Sequence, residues 1–413
     1  MDREFKDSGI EWIGKIPRDW KVTVLKRLCR NITDGSHFSP PTQNIGKKYI
    51  TVSNVYNDKV HIEEAANISY EDFCLLVANG CQPPIGSILL AKDGTVGRTA
   101  IVENNDYVVL SSLGILSPST HTLSNYIKYL LDSDSLQAQM QLAMAGSALR
   151  RITITKINSL IGLLPPIDEQ QRIADYLDKK CSEIDELIAL QEQMIAQLTD
   201  YKQSVITEAV TKGINPDVQL VPSGIDWIGD IPKGWKECRI KDLVYLQSGT
   251  NLTSMEISDN GTYPVYGGNG LRGYFSEYSN DGEFILIGRQ GALCGNINYA
   301  NGKFWATEHA VVCYPKRLFP IKWLGELLRA MNLGQYSLSA AQPGLAVERI
   351  KNLKIPLPPF DEQQSIAIYL DTKCSEIDSL ISLKQQKIET LKVYKKSVIY
   401  EAVTGKTIIC ETP

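Results

Sequence analysis

The sequence lacks the features that mark membrane, secreted and metal-binding chains. No apolar run approaches the roughly 18 residues that a membrane span needs, and the opening stretch MDREFKDSGIEW has no apolar signal core. The nine cysteines form no C-x-x-C pair, and only four histidines are present, so neither zinc sites nor a disulfide framework is expected. We therefore expect a cytoplasmic chain without a metal site and without membrane association.

Motifs of enzymes are also absent or incomplete. The segment PPF at 358–360 resembles part of the site with which amino-methyltransferases bind a flipped-out base, but Leu357 stands where a polar residue is needed. The segment GKT at 405–407 resembles the end of a Walker A loop, but it ends a helical pattern instead of opening one. No catalytic triad spacing or acidic nuclease cluster is recognisable. The sequence thus predicts a chain that is not an enzyme and holds no cofactor.

Charge is distributed unevenly along the chain. The net charge of −4, taken alone, argues against a nucleic-acid binder. Residues 168–213 carry 5 basic and 10 acidic side chains, whereas 23–163 carry 12 and 11, and 238–356 carry 12 and 9. The acidic residues are concentrated in one stretch, so the other two regions can still present a basic patch to DNA.

An internal repeat of two blocks is the strongest signal in the sequence. The block SGIEWIGKIPRDWK at 8–21 returns as SGIDWIGDIPKGWK at 223–236, an offset of 215. The block LPPIDEQQRIADYLDKKCSEID at 164–185 returns as LPPFDEQQSIAIYLDTKCSEID at 357–378, an offset of 193. The segments between the blocks have diverged much further. This pattern indicates a repeated scaffold that carries two different surfaces.

Each copy of the first block carries two tryptophans, Trp12 with Trp20 and Trp227 with Trp235. Large aromatic side chains at the boundary of an element usually anchor the chain on a core. We expect that role here, and contact with a partner protein is the alternative.

Each copy of the second block opens a stretch without glycine or proline, which predicts a long helix. Two prolines precede it, and Asp168 with Gln171 gives a start that resembles a capping box. A run of about 44 residues would extend about 65 Å. Apolar positions alternate at spacings of three and four, which predicts the core seam of a coiled coil. The seam positions are Leu177, Cys181, Ile184, Ile188, Gln191, Ile195, Leu198, Lys202, Val205 and Ala209, and then Leu370, Cys374, Ile377, Ile381, Lys384, Ile388, Leu391, Lys395, Val398 and Ala402.

The short linker after the first helix predicts how the elements connect. The second variable segment must attach at the end of the first helix, so the second helix runs back and the pair is antiparallel. The predicted fold is α+β, with two globular domains separated by an antiparallel coiled coil in a circular, pseudo-twofold repeat. Amphipathic helices packed on globular domains are the alternative.

The predicted boundaries are 1–22 for the first junction block, 23–163 for the first variable domain, 164–213 for the first helix, 214–237 for the linker and second junction block, 238–356 for the second variable domain, 357–406 for the second helix and 407–413 for the tail.

Both variable segments contain an apolar strand, a basic residue and a glycine-rich turn. GSILLAKDGTVGRTAIV at 86–102 parallels GEFILIGRQGALCGNI at 282–297. Such loops let the backbone approach a phosphate while a basic side chain reaches a base edge. A solvated hairpin is the alternative. The candidate DNA-contact residues are Lys47, Lys48, Lys92, Arg98, Arg272 and Arg289.

The chain carries the tandem blocks G-I-E/D-W-I-G-x-I-P-x-x-W and L-P-P-x-x-E-Q-x-x-I, and a long helix follows each pair. This arrangement resembles the specificity subunits of type I restriction-modification systems. The resemblance covers essentially the whole chain. It implies two target recognition domains that each read half of a bipartite double-stranded DNA site and are spaced by the coiled coil. It also implies two methylation subunits bound to this chain, restriction subunits that join them, and S-adenosylmethionine, ATP and magnesium held by those other subunits.

Apolar residues beside the seam suggest where methylation subunits would dock. Lys387 takes the position equivalent to Met194 and weakens the symmetry of this stripe, and ordinary packing against the domains is the alternative. The candidate docking residues are Leu187, Met194 and Tyr201 on the first helix and Leu380 and Tyr394 on the second.

Two other functions stay open from the residues alone. One is a coiled-coil adaptor that holds two protein ligands, and the other is a self-contained DNA methyltransferase or nuclease. Retention on duplex DNA of a defined sequence would exclude the adaptor. Cofactor crosslinking to the isolated chain would reveal the enzyme.

Overall fold

The computed structural model describes residues 3–144, 150–225, 227–291, 293–337 and 344–409. The chain divides into two compact units, Met1–Leu190 with Lys387–Pro413 (unit one) and Gln191–Gln386 (unit two). In the described part, no helix is both long and apolar enough to cross a membrane. The end of the predicted tail and single positions of two repeated motifs lie outside the described residues, namely 410–413, Asp226 and Ala292.

Unit one contains many short strands and brief helices. Its strands are β1 (Phe5–Asp7), β2 (Lys15–Pro17), β3 (Lys21–Val24), β4 (Cys29–Asp34), β5 (Lys47–Ile50), β6 (Val55–Tyr56), β7 (Lys59–Val60), β8 (Ala66–Ile68), β9 (Ile88–Ala91), β10 (Thr99–Ile101), β11 (Tyr107–Val109), β12 (Leu113–Pro118) and β13 (Ile161–Leu164). Its helices are α1 (Leu25–Leu28), α2 (Tyr70–Ala78), α3 (Ser124–Asp132), α4 (Asp134–Met144), α5 (Ile154–Asn158) and the first part of α6 (Ile167–Lys212), with a 3-10 turn at Val52–Asn54.

Unit two is also built from short strands and brief helices. Its strands are β14 (Leu220–Ile225), β15 (Gly229–Pro232), β16 (Lys236–Arg239), β17 (Val244–Ser248), β18 (Tyr263–Gly267), β19 (Gly270–Phe275), β20 (Asn280–Asp281), β21 (Phe284–Gly288), β22 (Ile297–Ala300), β23 (Lys303–Ala306), β24 (Ala310–Pro315) and β25 (Lys354–Leu357). Its helices are α7 (Ile240–Leu243), α8 (Ile321–Ala330), α9 (Val347–Ile350) and the first part of α10 (Phe360–Val403), with a 3-10 turn at Leu333–Tyr336.

The main sheets of the two units share one topology. The strand order is β4-β12-β9-β10 in unit one and β17-β24-β21-β22 in unit two, with antiparallel neighbours throughout. One parallel pair also recurs, β5 with β11 and β18 with β23. Between β4 and β9, unit one carries the additional helix α2, and unit two has no helix between β17 and β21. The repeated scaffold that the sequence predicts is therefore present in the variable domains as well.

The long helices follow the predicted seam. α6 has 46 residues and α10 has 44, and all twenty predicted seam positions are buried or half-buried. In unit one the Lys395 ammonium lies 2.7 Å from the carboxylate of Asp185, and in unit two Lys202 lies 2.7 Å from Asp378. Each pair joins a late position of one helix to an earlier position of the other. The helices are thus antiparallel within each unit, as predicted.

A polar pair interrupts the apolar seam in unit two. The Lys384 ammonium donates a hydrogen bond to the Gln191 amide oxygen at 3.3 Å. The two residues occupy equivalent positions of the repeat, because they are separated by its offset of 193. Polar residues at seam positions restrict the register in which two helices can pair.

The start of α6 differs from the prediction by two residues. The helix begins at Ile167, so Asp168 lies in the first turn and not at the cap. Its charge there still opposes the positive end of the helix dipole. The predicted capping box is wrong, because the Gln171 side chain donates to Asp175. At the other end, Gly213 has a φ of +78°, the left-handed conformation that commonly ends a helix.

A hydrogen bond joins the two repeated blocks in each unit. The buried Trp20 indole donates to Glu169 at 2.7 Å in unit one, and the Trp235 indole donates to Glu362 at 2.9 Å in unit two. The anchoring role predicted for these tryptophans is confirmed. Trp12, by contrast, is 42% exposed, so the predicted anchoring role does not hold for it. The contact explains why the two blocks recur together, since each tryptophan holds the first turn of a long helix.

Candidate nucleic-acid interface

The loop after β9 in unit one carries a cation that the protein neutralises internally. Lys92 is only 4% exposed, and its ammonium lies 3.3 Å from the carboxylate of Asp34. The next residue, Asp93, accepts two hydrogen bonds from the Arg151 guanidinium at 2.6 and 3.0 Å. The structure therefore places Lys92 in the interior beside a carboxylate, because a buried ammonium requires a carboxylate partner.

Three other candidate residues of unit one have different surroundings. The Lys47 ammonium lies 5.3 Å from the centroid of the Phe73 ring, and Lys48 donates to two backbone carbonyls at 3.2 and 3.1 Å. Arg98 is exposed, and its side chain forms no hydrogen bond or ion pair with the rest of the described chain. Of these three cations, Arg98 is therefore the one that a phosphate or a base can reach without competition.

The equivalent loop of unit two keeps an unneutralised cation. Arg289 follows β21 as Lys92 follows β9, and its guanidinium donates to the Ser248 hydroxyl at 3.2 Å. Backbone hydrogen bonds fix its position, from its amide to the His309 carbonyl at 2.8 Å and from the Leu345 amide to its carbonyl at 2.9 Å. No described carboxylate forms an ion pair with Arg289. Its positive charge is thus available to an anionic ligand.

Arg272 and the loop after β21 line a cleft of about 500 Å³ in unit two. Close approach of two backbone segments shapes this cleft, because a Cβ atom on Gly288 would lie 2.2 Å from the Gly268 carbonyl oxygen. Arg272 is the residue of the lining with a permanent charge, so the cleft fits a neutral or anionic polar group. The lining residues are Gly268, Asn269, Arg272, Gln290, Gly291, His309 and Gly344.

Three residues in or beside these loops, Gln290, His309 and Arg151, are not among the candidates predicted from the sequence. The signal for Gln290 was available, since it follows the basic residue of its motif as Asp93 does in the other copy. Arg151 lies outside the aligned motifs, and its place beside the loop is visible only from its bridge to Asp93.

Exposed apolar side chains from both helices flank the Asp185–Lys395 ion pair of unit one. Leu187 and Tyr394, which were predicted docking residues, are exposed, and so is Leu190, which was not predicted. We call Leu187, Leu190 and Tyr394 the unit-one patch. Large exposed apolar side chains are candidates for a protein interaction site.

Unit two carries the equivalent set beside its Lys202–Asp378 ion pair. Leu380, Leu383 and Tyr201 are exposed, and we call them the unit-two patch. The remaining docking candidate, Met194, is also at the surface of α6. Leu383, like its repeat equivalent Leu190 at the offset of 193, is not among the predicted docking residues.

The His, Cys, Asp and Glu side chains decide whether the chain could hold a metal ion, and the pKa values of the thiols decide whether a cysteine is reactive. In the part of the chain that the structure describes, no group of three or more His, Cys, Asp or Glu side chains is placed to hold a metal ion. Burial raises the pKa of the Cys29 thiol to about 12 and that of Cys181 to about 11. Both thiols stay protonated near neutral pH and are therefore poor nucleophiles.

Replacing Lys92 by alanine is expected to destabilise unit one by about 1–2 kcal/mol, because the Asp34 carboxylate loses its partner in a poorly solvated place. Thermal unfolding followed by circular dichroism measures this effect. The control is Arg98→Ala, which removes an exposed cation and should leave the melting temperature unchanged. Equal melting temperatures for the two variants would show that the ion pair of Lys92 has no structural role.

Comparison with known proteins gives one consistent result. The profile of the "Type I restriction modification DNA specificity domain" matches residues 17–200 and 232–393. The type I restriction enzyme EcoprrI specificity subunit of Escherichia coli is 40% identical over 156 residues, which are 37% of this chain and 39% of that subunit. The type I restriction enzyme MjaVIII specificity subunit of Methanocaldococcus jannaschii is 23% identical over 426 residues, covering 95% of this chain and 94% of that subunit.

Solved structures share the fold. A chain from a structure on complex assembly and conformational transition of the type I R-M system has a TM-score of 0.71 and 17% identity, covering 95% of this chain and 99% of its own. The HsdS subunit from Thermoanaerobacter tengcongensis has a TM-score of 0.51 and 17% identity, covering 95% of this chain and 98% of its own. At these identities the likeness concerns the fold.

Proposed function

Because the chain belongs to the family defined by the type I restriction modification DNA specificity domain, we propose that it selects the DNA sequence on which a type I restriction-modification complex acts. Each unit reads one half of a bipartite duplex site. The supporting observation is that one sheet topology recurs in both units while the loops after β9 and β21 carry different side chains. Side chains on such loops can distinguish base edges in the major groove.

In this proposal the paired helices space the half-sites, and two methylation subunits dock on the chain. The unit-one patch and the unit-two patch offer one apolar surface each. Restriction subunits join the assembled complex. The chain itself performs no catalysis, and S-adenosylmethionine, ATP and magnesium are bound by the partner subunits.

Mapping methylated bases in the genome of the cell that makes this protein tests the proposal. With the gene intact, one bipartite motif with a fixed, unspecified spacer is expected to be methylated throughout the genome. Deleting the gene should remove methylation from that motif alone. If the motif stays methylated after the deletion, another protein selects it.

Introducing Leu187→Asp together with Tyr394→Ala is expected to weaken binding of one methylation subunit about tenfold or more, since both changes remove exposed apolar area from the unit-one patch. Light scattering of the assembled complex measures the number of bound subunits, which should fall from two to one. The matched control is Ile368→Asp, which changes an exposed apolar residue of α10 outside both patches. Two bound subunits in the double variant would assign docking to another surface.

A further inference from the structure

Equivalent positions around the loops after β9 and β21 differ in charge between the two units. Asp34 ends β4 and pairs with Lys92, whereas Ser248 ends β17 and accepts from Arg289. The first loop thus contains a neutralised cation, and the second contains a cation with a neutral partner.

The neighbouring positions show the same change. Asp93 forms a bridge with Arg151 in unit one, and Gln290 forms the equivalent bridge with Gly344 in unit two. An ion pair between an aspartate and an arginine is therefore replaced by one neutral amide and one glycine. Because glycine has no side chain, the space beside Gln290 is open, and this space is part of the 500 Å³ cleft.

The polar groups of this cleft are largely unoccupied by the protein. The side chains of Gln290 and Arg272 are exposed, and neither forms a hydrogen bond or ion pair with the rest of the described residues. The buried Nδ1 atom of His309 also has no hydrogen-bond partner. Asn269 differs, because its side-chain oxygen accepts from Asn296 at 3.0 Å. The cleft therefore offers free donors and acceptors on a glycine-rich floor.

On the basis of the DNA-reading function proposed above, we propose that this cleft receives the major-groove edges of purines in the second half-site, with Gln290 and Arg272 as the base-reading residues. A glutamine amide matches the donor and acceptor of adenine, and an arginine guanidinium matches the two acceptors of guanine. No carboxylate lines the cleft to accept from the amino group of cytosine. Arg289 contributes positive charge beside the loop and does not line the cleft itself.

The proposal makes the two units unequal. In unit one the positions equivalent to Gln290 and Gly344 form the Asp93–Arg151 ion pair, which holds the loop in shape. The residues that read the first half-site must then lie elsewhere on unit one. Substitutions in the cleft should therefore affect one half of the selected motif and leave the other half intact.

Selection from a random duplex DNA library tests this with the full chain assembled with its methylation subunits. The variants are Gln290→Ala and Arg272→Ala, and the matched control is Lys236→Ala, an exposed cation of unit two outside the cleft. Each cleft variant is expected to lose its preference at one base pair of the second half-site by about tenfold to a hundredfold. The first half-site should keep its full preference, and the control should select the wild-type motif.

Several results would overturn the inference. Uniform weakening over all sequences would show that Arg272 binds a phosphate, and an unchanged motif would show that the cleft takes no base. Should a cleft variant melt at a lower temperature than the wild type, Gln290→Asn and Arg272→Lys keep the polarity and decide the question by the same readout. If the wild-type complex itself selects no bipartite motif, the proposed function fails, and this outcome is distinct from failure of the cleft assignment.

Discussion

Replacing Leu370 by alanine is expected to lower the free energy of unfolding by about 2–5 kcal/mol. Leu370 occupies a seam position of α10, is fully buried and belongs to the hydrophobic core of unit two, which also contains Trp323 and Ile366. Truncation removes apolar contacts and leaves a cavity that a close-packed core only partly fills. The transition that includes unit two should therefore melt several degrees earlier, and circular dichroism at helix wavelengths follows it.

The same helix offers a matched control for this substitution. Ile368 lies two residues earlier and is 69% exposed, so Ile368→Ala removes a similar side chain from the surface. Its effect on stability should stay within about 0.5 kcal/mol. Comparable losses from both substitutions would mean that the helix does not pack through the predicted seam.

Replacing Glu169 by alanine is also expected to have a large effect and to destabilise unit one by about 2–3 kcal/mol. Its carboxylate accepts from the fully buried Trp20 indole at 2.7 Å and also pairs with Arg3. Removal leaves an unpaired indole N–H in the core, and such a group costs more than the lost hydrogen bond is worth. The loss should appear as a lower melting temperature of unit one.

A double-mutant cycle separates this hydrogen bond from general disruption of the junction. Trp20→Phe removes the indole donor while keeping an aromatic ring, and it should make the second change, Glu169→Ala, less costly. A coupling energy of about 1 kcal/mol or more is expected between the two residues. Strictly additive effects would show that the hydrogen bond contributes nothing. Trp235→Phe with Glu362→Ala provides the same cycle in unit two.

The helical scaffold could be predicted from the sequence because the pattern that specifies it lies within one continuous segment. A seam residue recurs every three or four positions on one continuous helix, so the pattern alone identifies which side chains are buried. The antiparallel direction followed from the lengths of the linkers. The predicted start of α6 is two residues late because Pro166 and Asp168 are both compatible with the position just before a helix, and the sequence does not rank them.

The surroundings of the loops could not be predicted, since their partners are distant in the chain. Arg151 lies 58 positions from the carboxylate that it binds, and no motif links the two residues. A lysine before a glycine turn has the same local sequence whether it is buried or exposed. Lys92 and Arg289 therefore looked alike, although one is neutralised by Asp34 and the other has a hydroxyl partner. Contact of either residue with DNA stays a prediction.

The hydrogen bond between Lys384 and Gln191 also affects which helices can pair, because α6 and α10 are two copies of one repeat. An exact repeat would place identical side chains opposite each other at this point, and helices from two different molecules could pair as well as helices from one. Two copies of α10 would oppose two ammonium groups at this position, which is repulsive, whereas α6 with α10 brings an ammonium to an amide oxygen. Divergence at one pair of equivalent positions thus disfavours pairing between two copies of α10 and favours the pairing of α6 with α10.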